Sequence, residues 1–291
     1  MKFPHPMRRK DDRADRRLRR GMYILPSLFT CANIGAGYYA IVQITQGSPT
    51  SPRHFDLAAI AIGFAVMFDS LDGAVARMTN TSSDFGRELD SLADVITFGV
   101  APAVLAFFWG FHFLPAMTIP PMRSRLVAIG MIASFLFLIA GASRLARFNI
   151  QVNPEPSNPG RPGKKYFVGM PIPAAAGVLA SVVHYTGGYP VQTWWKSVLW
   201  CSLVVCSAFL MVSTWRFFSS KGVKVRTRHP FWVVVVVGLL IAGAVELSGP
   251  FLLVLAMAYM FSGILWRLQW LFRKRSGPPA PPPFQEASQA S

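Results

Sequence analysis

"DSLDGAVARMTNTSSDFGRELDSLAD", residues 69–94, holds six acidic residues, Asp69, Asp72, Asp84, Glu88, Asp90 and Asp94, of the 13 in a chain of 291. On either side lie long apolar runs, so the acids interrupt a sequence that otherwise reads as lipid-soluble. Hydrophobic residues make up 52% and charged residues 14%, with a mean hydropathy of +0.38. That balance is typical of a polytopic membrane protein. The N-terminal "MKFPHPMRRKDDRADRRLRRGM" has no short apolar core or small-residue cleavage site and does not read as a signal peptide. Cys31, Cys201 and Cys206 all fall in apolar segments, as small hydrophobes rather than a disulfide framework or zinc site.

A segment that crosses ~30 Å of hydrocarbon needs ~20 apolar residues. Eight candidates emerge, at about 23–45, 56–78, 89–113, 124–148, 167–187, 193–214, 230–247 and 249–270. The last pair, joined by "ELSGP", reads as a helical hairpin. The fold class expected is all-α, a polytopic helical bundle. With the N-terminus cytosolic, 25 of the 29 basic residues fall in inner pieces, and only Arg53, Arg123, Arg125 and Lys196 fall outside. This bias favours an even number of spans with both ends in the cytosol. It also accounts for the net charge of +16 without nucleic acid as a partner. Residues 1–22 read as a basic cytosolic tail near anionic headgroups, and 273–291 as a disordered Pro-rich tail.

On this topology the acids straddle the cytosolic turn between the second and third spans, with "TNTSSDF" as the loop. Helical periodicity puts Asp69 and Asp72 on one face beside Gly73 and Ala76, and aligns Gly86, Asp90 and Asp94 at spacing four. Each helix therefore offers a carboxylate pair with small residues beside it. A carboxylate at mid-bilayer costs ~2.5–3.5 kcal/mol, so four together need compensation. Arg77 and Arg87 can neutralise two, as a structural salt-bridge cluster would. A hard cation, Mg²⁺, Mn²⁺ or Ca²⁺, suits an oxygen-only ligand set, and four carboxylates suit two metals about 4 Å apart. Such a pair facing the cytosol fits phosphoryl-type transfer from a diphosphate.

The fixed residues Asp69, Asp72, Gly73, Ala76, Arg77, Gly86, Asp90 and Asp94 resemble, without departure in identity or spacing, the signature of the CDP-alcohol phosphatidyltransferases. The resemblance implies a six-helix membrane core, which 23–221 would supply, with 222–272 as an added transmembrane hairpin. It implies Asp69, Asp72, Asp90 and Asp94 as metal ligands, with Mg²⁺ or Mn²⁺, two per site, as cofactor. Asp94 would be the general base that takes the acceptor's proton. Gly73, Ala76, Arg77 and Gly86 would contact the CDP-lipid.

The acceptor must be read elsewhere. "YILPSLFTCANIGAGYYA" (23–40), "GASRLARFNI" (141–150) and "FVGMPIPAAAG" (167–177) resemble segments of the bacterial phosphatidylserine synthases in this family. That implies CDP-diacylglycerol and L-serine as substrates, with Thr30 and Asn33 near CDP. Arg144 and Arg147 lie at spacing three, as acceptor or phosphate contacts or as snorkelling topology anchors. Asn149 lies just beyond them. Pro171 and Pro173 read as a helix start. The resemblance further implies the bacterial inner membrane, membrane lipids as surroundings, an active site on the cytosolic side and possible homodimers. His112 and His184 lie far from the acids and receive no role. Glycerol 3-phosphate or inositol as acceptor is the nearest alternative. A cation transporter is the alternative from another class, but it should carry acids at mid-membrane on several spans.

Overall fold

The 69–94 stretch holds the end of one helix and the start of the next. The computed structural model describes residues 11–79, 84–115, 120–150, 166–218 and 248–272, leaving aside the side chains of 11–27, 70–79, 84, 120 and 218. The elements are α1 (Asp11–Gln46), α2 (Arg53–Thr79), α3 (Asp84–Asp94), a π-helical stretch (Val95–Val100), α4 (Ala101–Phe107) and a second π stretch (Phe108–His112). These are followed by α5 (Pro120–Asn149), β1 (Tyr166–Val168), α6 (Ile172–Tyr185), α7 (Trp194–Val212), β2 (Arg216–Phe218) and α8 (Ser248–Phe272). The architecture is that of an all-α membrane protein. Among the described residues four helices, Phe85–His112, Pro121–Asn149, Trp194–Val212 and Ser248–Phe272, are long and apolar enough to cross a bilayer.

α1 runs without a break from Asp11 to Gln46. Two expectations are corrected. The expected span 167–187 is a 14-residue helix preceded by a strand. Pro171 caps the helix and Pro173 sits in its first turn, where a missing N–H costs nothing. A small β element stands in the bundle as well: β1 pairs antiparallel with β2, Phe167 opposite Phe217, and β2 follows α7 once that helix has ended at Val212. The chain enters α6 through Gly169 at φ +75°, where a Cβ would meet the Met211 carbonyl oxygen at 2.6 Å. Only glycine combines that dihedral with that approach. The expected span 230–247 lies outside the described residues.

Small residues set the helix spacing. α2 contributes Ala58, Ala59, Ala61 and Ala65 to the core, α4 Ala101, Ala103 and Ala106, and α6 Ala175, Ala176 and Ala180. In lipid there is little hydrophobic drive between helices, so close van der Waals approach along such faces carries the association. Phe55, Phe98, Phe111, Phe137 and Phe217 fill the remaining space and are fully buried.

The π stretches leave backbone carbonyls that the α-helical pattern would have used. Trp200 Nε1 on α7 donates to the Ala106 carbonyl at 2.9 Å, and Ser197 Oγ donates to Gly110 at 2.8 Å. At the start of α2, His184 Nδ1 lies 2.6 Å from Asp56 Oδ1 and His184 Nε2 3.1 Å from Ser248 Oγ. This clasp ties α2, α6 and α8 together at one end of the bundle. His184 thus has a structural task that its distance from the acids concealed.

Candidate active site

At the other end, α2 and α3 bring their acids together. Carboxylate oxygens of Asp69, Asp90 and Asp94 lie within 4.8 Å of one another. Asp94 is buried at 9% exposure, and Asp69 and Asp90 are half-buried. Like charges repel by on the order of 4 kcal/mol for a pair at ~4 Å and an effective dielectric of ~20. Such a trio is stabilised by a bound cation or by a proton held between the carboxylates.

The helix order explains the convergence. α2 ends at Thr79 and α3 begins at Asp84, so the chain doubles back within a few residues of the acids. Asp90 and Asp94, four apart, then lie on one face of α3. Immediately after Asp94 the helix changes to π geometry, and Thr97 in that stretch donates to the Asn33 backbone carbonyl at 3.0 Å. α1 comes this close because position 37 is glycine: a Cβ there would meet the Thr97 Cα at 2.9 Å. The contact sets Asn33 of α1 beside Asp94, where it and Arg144 of α5 both lie within electrostatic reach of the carboxylate.

Asn33 is 1% exposed, and both atoms of its side-chain amide are buried without a hydrogen-bond partner. Asp94 Oδ1 is in the same condition. Buried polar atoms are nearly always paired in native proteins, so orphans collected around a carboxylate trio are the mark of a ligand site. The oxygen-only donor set fits a hard divalent cation.

The sequence-derived residues sort as follows. Asp69, Asp90 and Asp94 meet. Asp72, Gly73, Ala76 and Arg77 continue α2 beyond Asp69, with side chains outside the described set. Gly86 lies in the first turn of α3. Thr30 and Asn33 are buried on α1, at 3% and 1% exposure. Arg144 lies within electrostatic reach of Asp94, and its Nε is buried without a hydrogen-bond partner. Its two companions turn elsewhere: Arg147 Nη1 donates to the Val212 carbonyl at 3.4 Å, and Asn149 Nδ2 donates to Ser91 Oγ at 2.9 Å, which holds the end of α5 against α3. Sequence reasoning missed Thr97, because a threonine in an apolar run gives no signal of π geometry.

Residues 23–208 match the CDP-alcohol phosphatidyltransferase family. The chain is 36% identical over 252 residues to a CDP-diacylglycerol–serine O-phosphatidyltransferase of Helicobacter pylori, covering 86% of this chain and 92% of that one. It is 33% identical over 239 residues to the Mycobacterium leprae protein of the same name, covering 80% and 70%. An archaetidylserine synthase of Methanothermobacter thermautotrophicus is 36% identical over 167 residues, 57% of this chain and 59% of that one.

Proposed function

The chain belongs to the CDP-alcohol phosphatidyltransferase family, and from that premise we propose that it transfers a phosphatidyl group from CDP-diacylglycerol to L-serine, giving phosphatidylserine and CMP. The observation that carries the chemistry is the meeting of Asp69, Asp90 and Asp94 around orphaned buried polar atoms. The acceptor rests on the names of relatives that span most of the chain.

Asp69, Asp72, Asp90 and Asp94 would hold divalent cation, Mg²⁺ or Mn²⁺, two per site, which would supply positive charge against the diphosphate and the bridging oxygen. Asp94 accepts the proton of the serine hydroxyl. The freed oxygen attacks the lipid-side phosphorus, the bond to the bridging oxygen breaks, and CMP leaves with the electron pair. General-base assistance of this kind contributes roughly 10²–10⁴-fold in rate. Asn33 and Thr30 line the CDP side together with Gly73, Ala76, Arg77 and Gly86, and the glycines, without side chains, let phosphate and sugar approach the backbone. Arg144 receives the serine carboxylate. Arg147 and Asn149 brace α5 against α7 and α3, and so keep Arg144 in place.

The site faces the cytosol and both termini lie there, as the distribution of basic residues supports. A catalytic core over 23–221, an added hairpin over 222–272 and an inner-membrane location belong to the same reading. The test is to supply purified protein with CDP-diacylglycerol, Mg²⁺ or Mn²⁺, and serine, glycerol 3-phosphate or inositol in turn. Serine-dependent CMP release with phosphatidylserine as the lipid product is expected. Release with another alcohol alone would overturn the acceptor and leave the mechanism standing.

A further inference from the structure

Asp56, His184 and Ser248 form a line of two hydrogen bonds across α2, α6 and α8. Asp56 Oδ1 lies 2.6 Å from His184 Nδ1, and Ser248 Oγ lies 3.1 Å from Nε2 on the other side of the ring. A carboxylate only accepts, so Nδ1 carries the proton and donates to Asp56. In the neutral ring that leaves a lone pair on Nε2, to which the Ser248 hydroxyl donates. A carboxylate that orients an imidazole, and an imidazole that receives a serine proton, together make a serine nucleophilic.

Local structure holds each member in place. His184 occupies the last turn of α6. The loop beyond it turns back at Gly188, at φ +76°, where a Cβ would meet the Pro52 carbonyl oxygen, and the Asp56 nitrogen at 2.7 Å. The loop thus closes on the first turn of α2 and fixes the backbone that carries Asp56. Ser248 is the first residue of α8. A Cβ on the next residue, Gly249, would stand 3.4 Å from the Tyr185 Cα, so the bare glycine lets α8 start against the end of α6. There the N–H groups of Gly249 and Phe251 have no acceptor within the helix. Both lie within three positions of Ser248, as donors for charge developing on a carbonyl oxygen. The side chains of His184 and Asp56 are 16% and 24% exposed, and Ser248 is half-buried, so a ligand can reach the serine.

Asp69 follows Asp56 by 13 residues on α2, roughly 20 Å at 1.5 Å per residue, so the trio is separate from the carboxylate site. Between the end of α6 and the start of α7, Tyr185, Tyr189, Trp194 and Trp195 are exposed. Such aromatics gather at the membrane–water interface, the depth at which the ester carbonyls of glycerolipids lie. We propose that Ser248, His184 and Asp56 form a second reactive centre, a hydrolase site for carboxylic esters at the membrane surface. Ser248 Oγ attacks the ester carbonyl carbon as its proton passes to His184 Nε2, and Asp56 steadies the imidazolium. The bond from that carbon to the alcohol oxygen breaks, and the alcohol leaves with the proton from Nε2. Water then attacks the acyl-serine and gives a proton to Nε2. The carboxylic acid departs, and the proton returns to Ser248 Oγ.

The experiment treats the purified full chain with an alkyl fluorophosphonate, which phosphonylates an activated serine with loss of fluoride, and locates the label by peptide mass. Hydrolysis is followed with p-nitrophenyl butyrate, a soluble ester, and with a diacyl phospholipid in micelles, so the two sources of ester are told apart. Thermal midpoint and phosphatidyl transfer report whether each variant is folded. Wild type is expected to label at Ser248 and to hydrolyse at least one of the two esters. Ser248→Ala, which loses a single hydrogen bond, should abolish labelling and hydrolysis and leave phosphatidyl transfer unchanged. Asp56→Asn should slow both by roughly 10²–10⁴-fold, the range of general-base assistance. Absence of label at Ser248 in folded wild type, hydrolysis that survives Ser248→Ala, labelling without turnover of either ester, or full rates in Asp56→Asn would each overturn the proposal. The three residues would then be a structural clasp alone.

Discussion

Asp69 and Asp94 are 25 positions apart in sequence, on helices of opposite direction, and their carboxylate oxygens lie within 4.8 Å of one another with Asp90 as the third member. The pair is where α2 and α3 bring their acids together. Asp69→Ala or Asp90→Ala should reduce phosphatidyl transfer by at least the roughly 10²–10³-fold seen when one group of an electrostatic site is removed. A chelator should abolish activity in wild type, and readdition of Mg²⁺ or Mn²⁺ should restore it. Chelator-resistant CMP release would contradict a metal-held diphosphate.

The contact of α1 with the π stretch predicts a stability effect. In Gly37→Ala the new methyl meets Thr97, with backbone among the atoms it strikes, so the two helices must separate. Overpacking of this kind costs about 1–3 kcal/mol. The thermal midpoint in detergent should fall, and activity should fall with it because Asn33 is carried away from Asp94. Gly35→Ala is the control: a Cβ at Gly35 meets nothing within 4 Å, and the midpoint should hold.

The clasp predicts a different pattern. His184→Ala removes both hydrogen bonds that link Asp56 and Ser248. At about 1 kcal/mol net for a typical bond, and more where a charged partner is left behind, the loss should be about 1–3 kcal/mol. It should appear as a lower midpoint and faster proteolysis near the start of α8. The KM for CDP-diacylglycerol should not change, because the carboxylates stand roughly 20 Å away. A large loss of CDP-diacylglycerol affinity would place His184 in a role that the geometry does not give it.

Asn149 offers a graded test. Its amide bonds Ser91 Oγ at 2.9 Å, and Ser91 adjoins Asp90. Asn149→Ala should cost about 0.5–1.5 kcal/mol, the net value of one ordinary hydrogen bond, and lower turnover by only a few-fold. A loss as large as that of Asp90→Ala would make Asn149 a substrate contact.

What could be read beforehand follows from the physics of each feature. The acids were legible because carboxylates in an oily chain are costly and four-residue spacing fixes a helical face, so Asp69, Asp90 and Asp94 were placed on facing helices before any coordinates. The start of α6 was legible in Pro171 and Pro173. The ribbon of β1 and β2 was not, since "YFV" and "RFF" are too short to show an alternation and sit beside apolar helices. Nor was the clasp, whose three members are 128 and 64 positions apart in sequence. Arg144 and Arg147 share a face at spacing three, and Asn149 lies just beyond them, so sequence grouped all three as acceptor or phosphate contacts. Packing separates them, because Val212 and Ser91 occupy two of the three.

The most direct test of the account concerns Asp94, the buried carboxylate assigned to take serine's proton. Asp94→Asn and Asp69→Asn should be compared for binding of CDP-diacylglycerol in the presence of Mn²⁺ and for serine-dependent CMP release. The account predicts that Asp94→Asn retains CDP-diacylglycerol binding better than Asp69→Asn does while its turnover disappears. Normal CMP release by folded Asp94→Asn would contradict the assignment of the base and, with it, the mechanism.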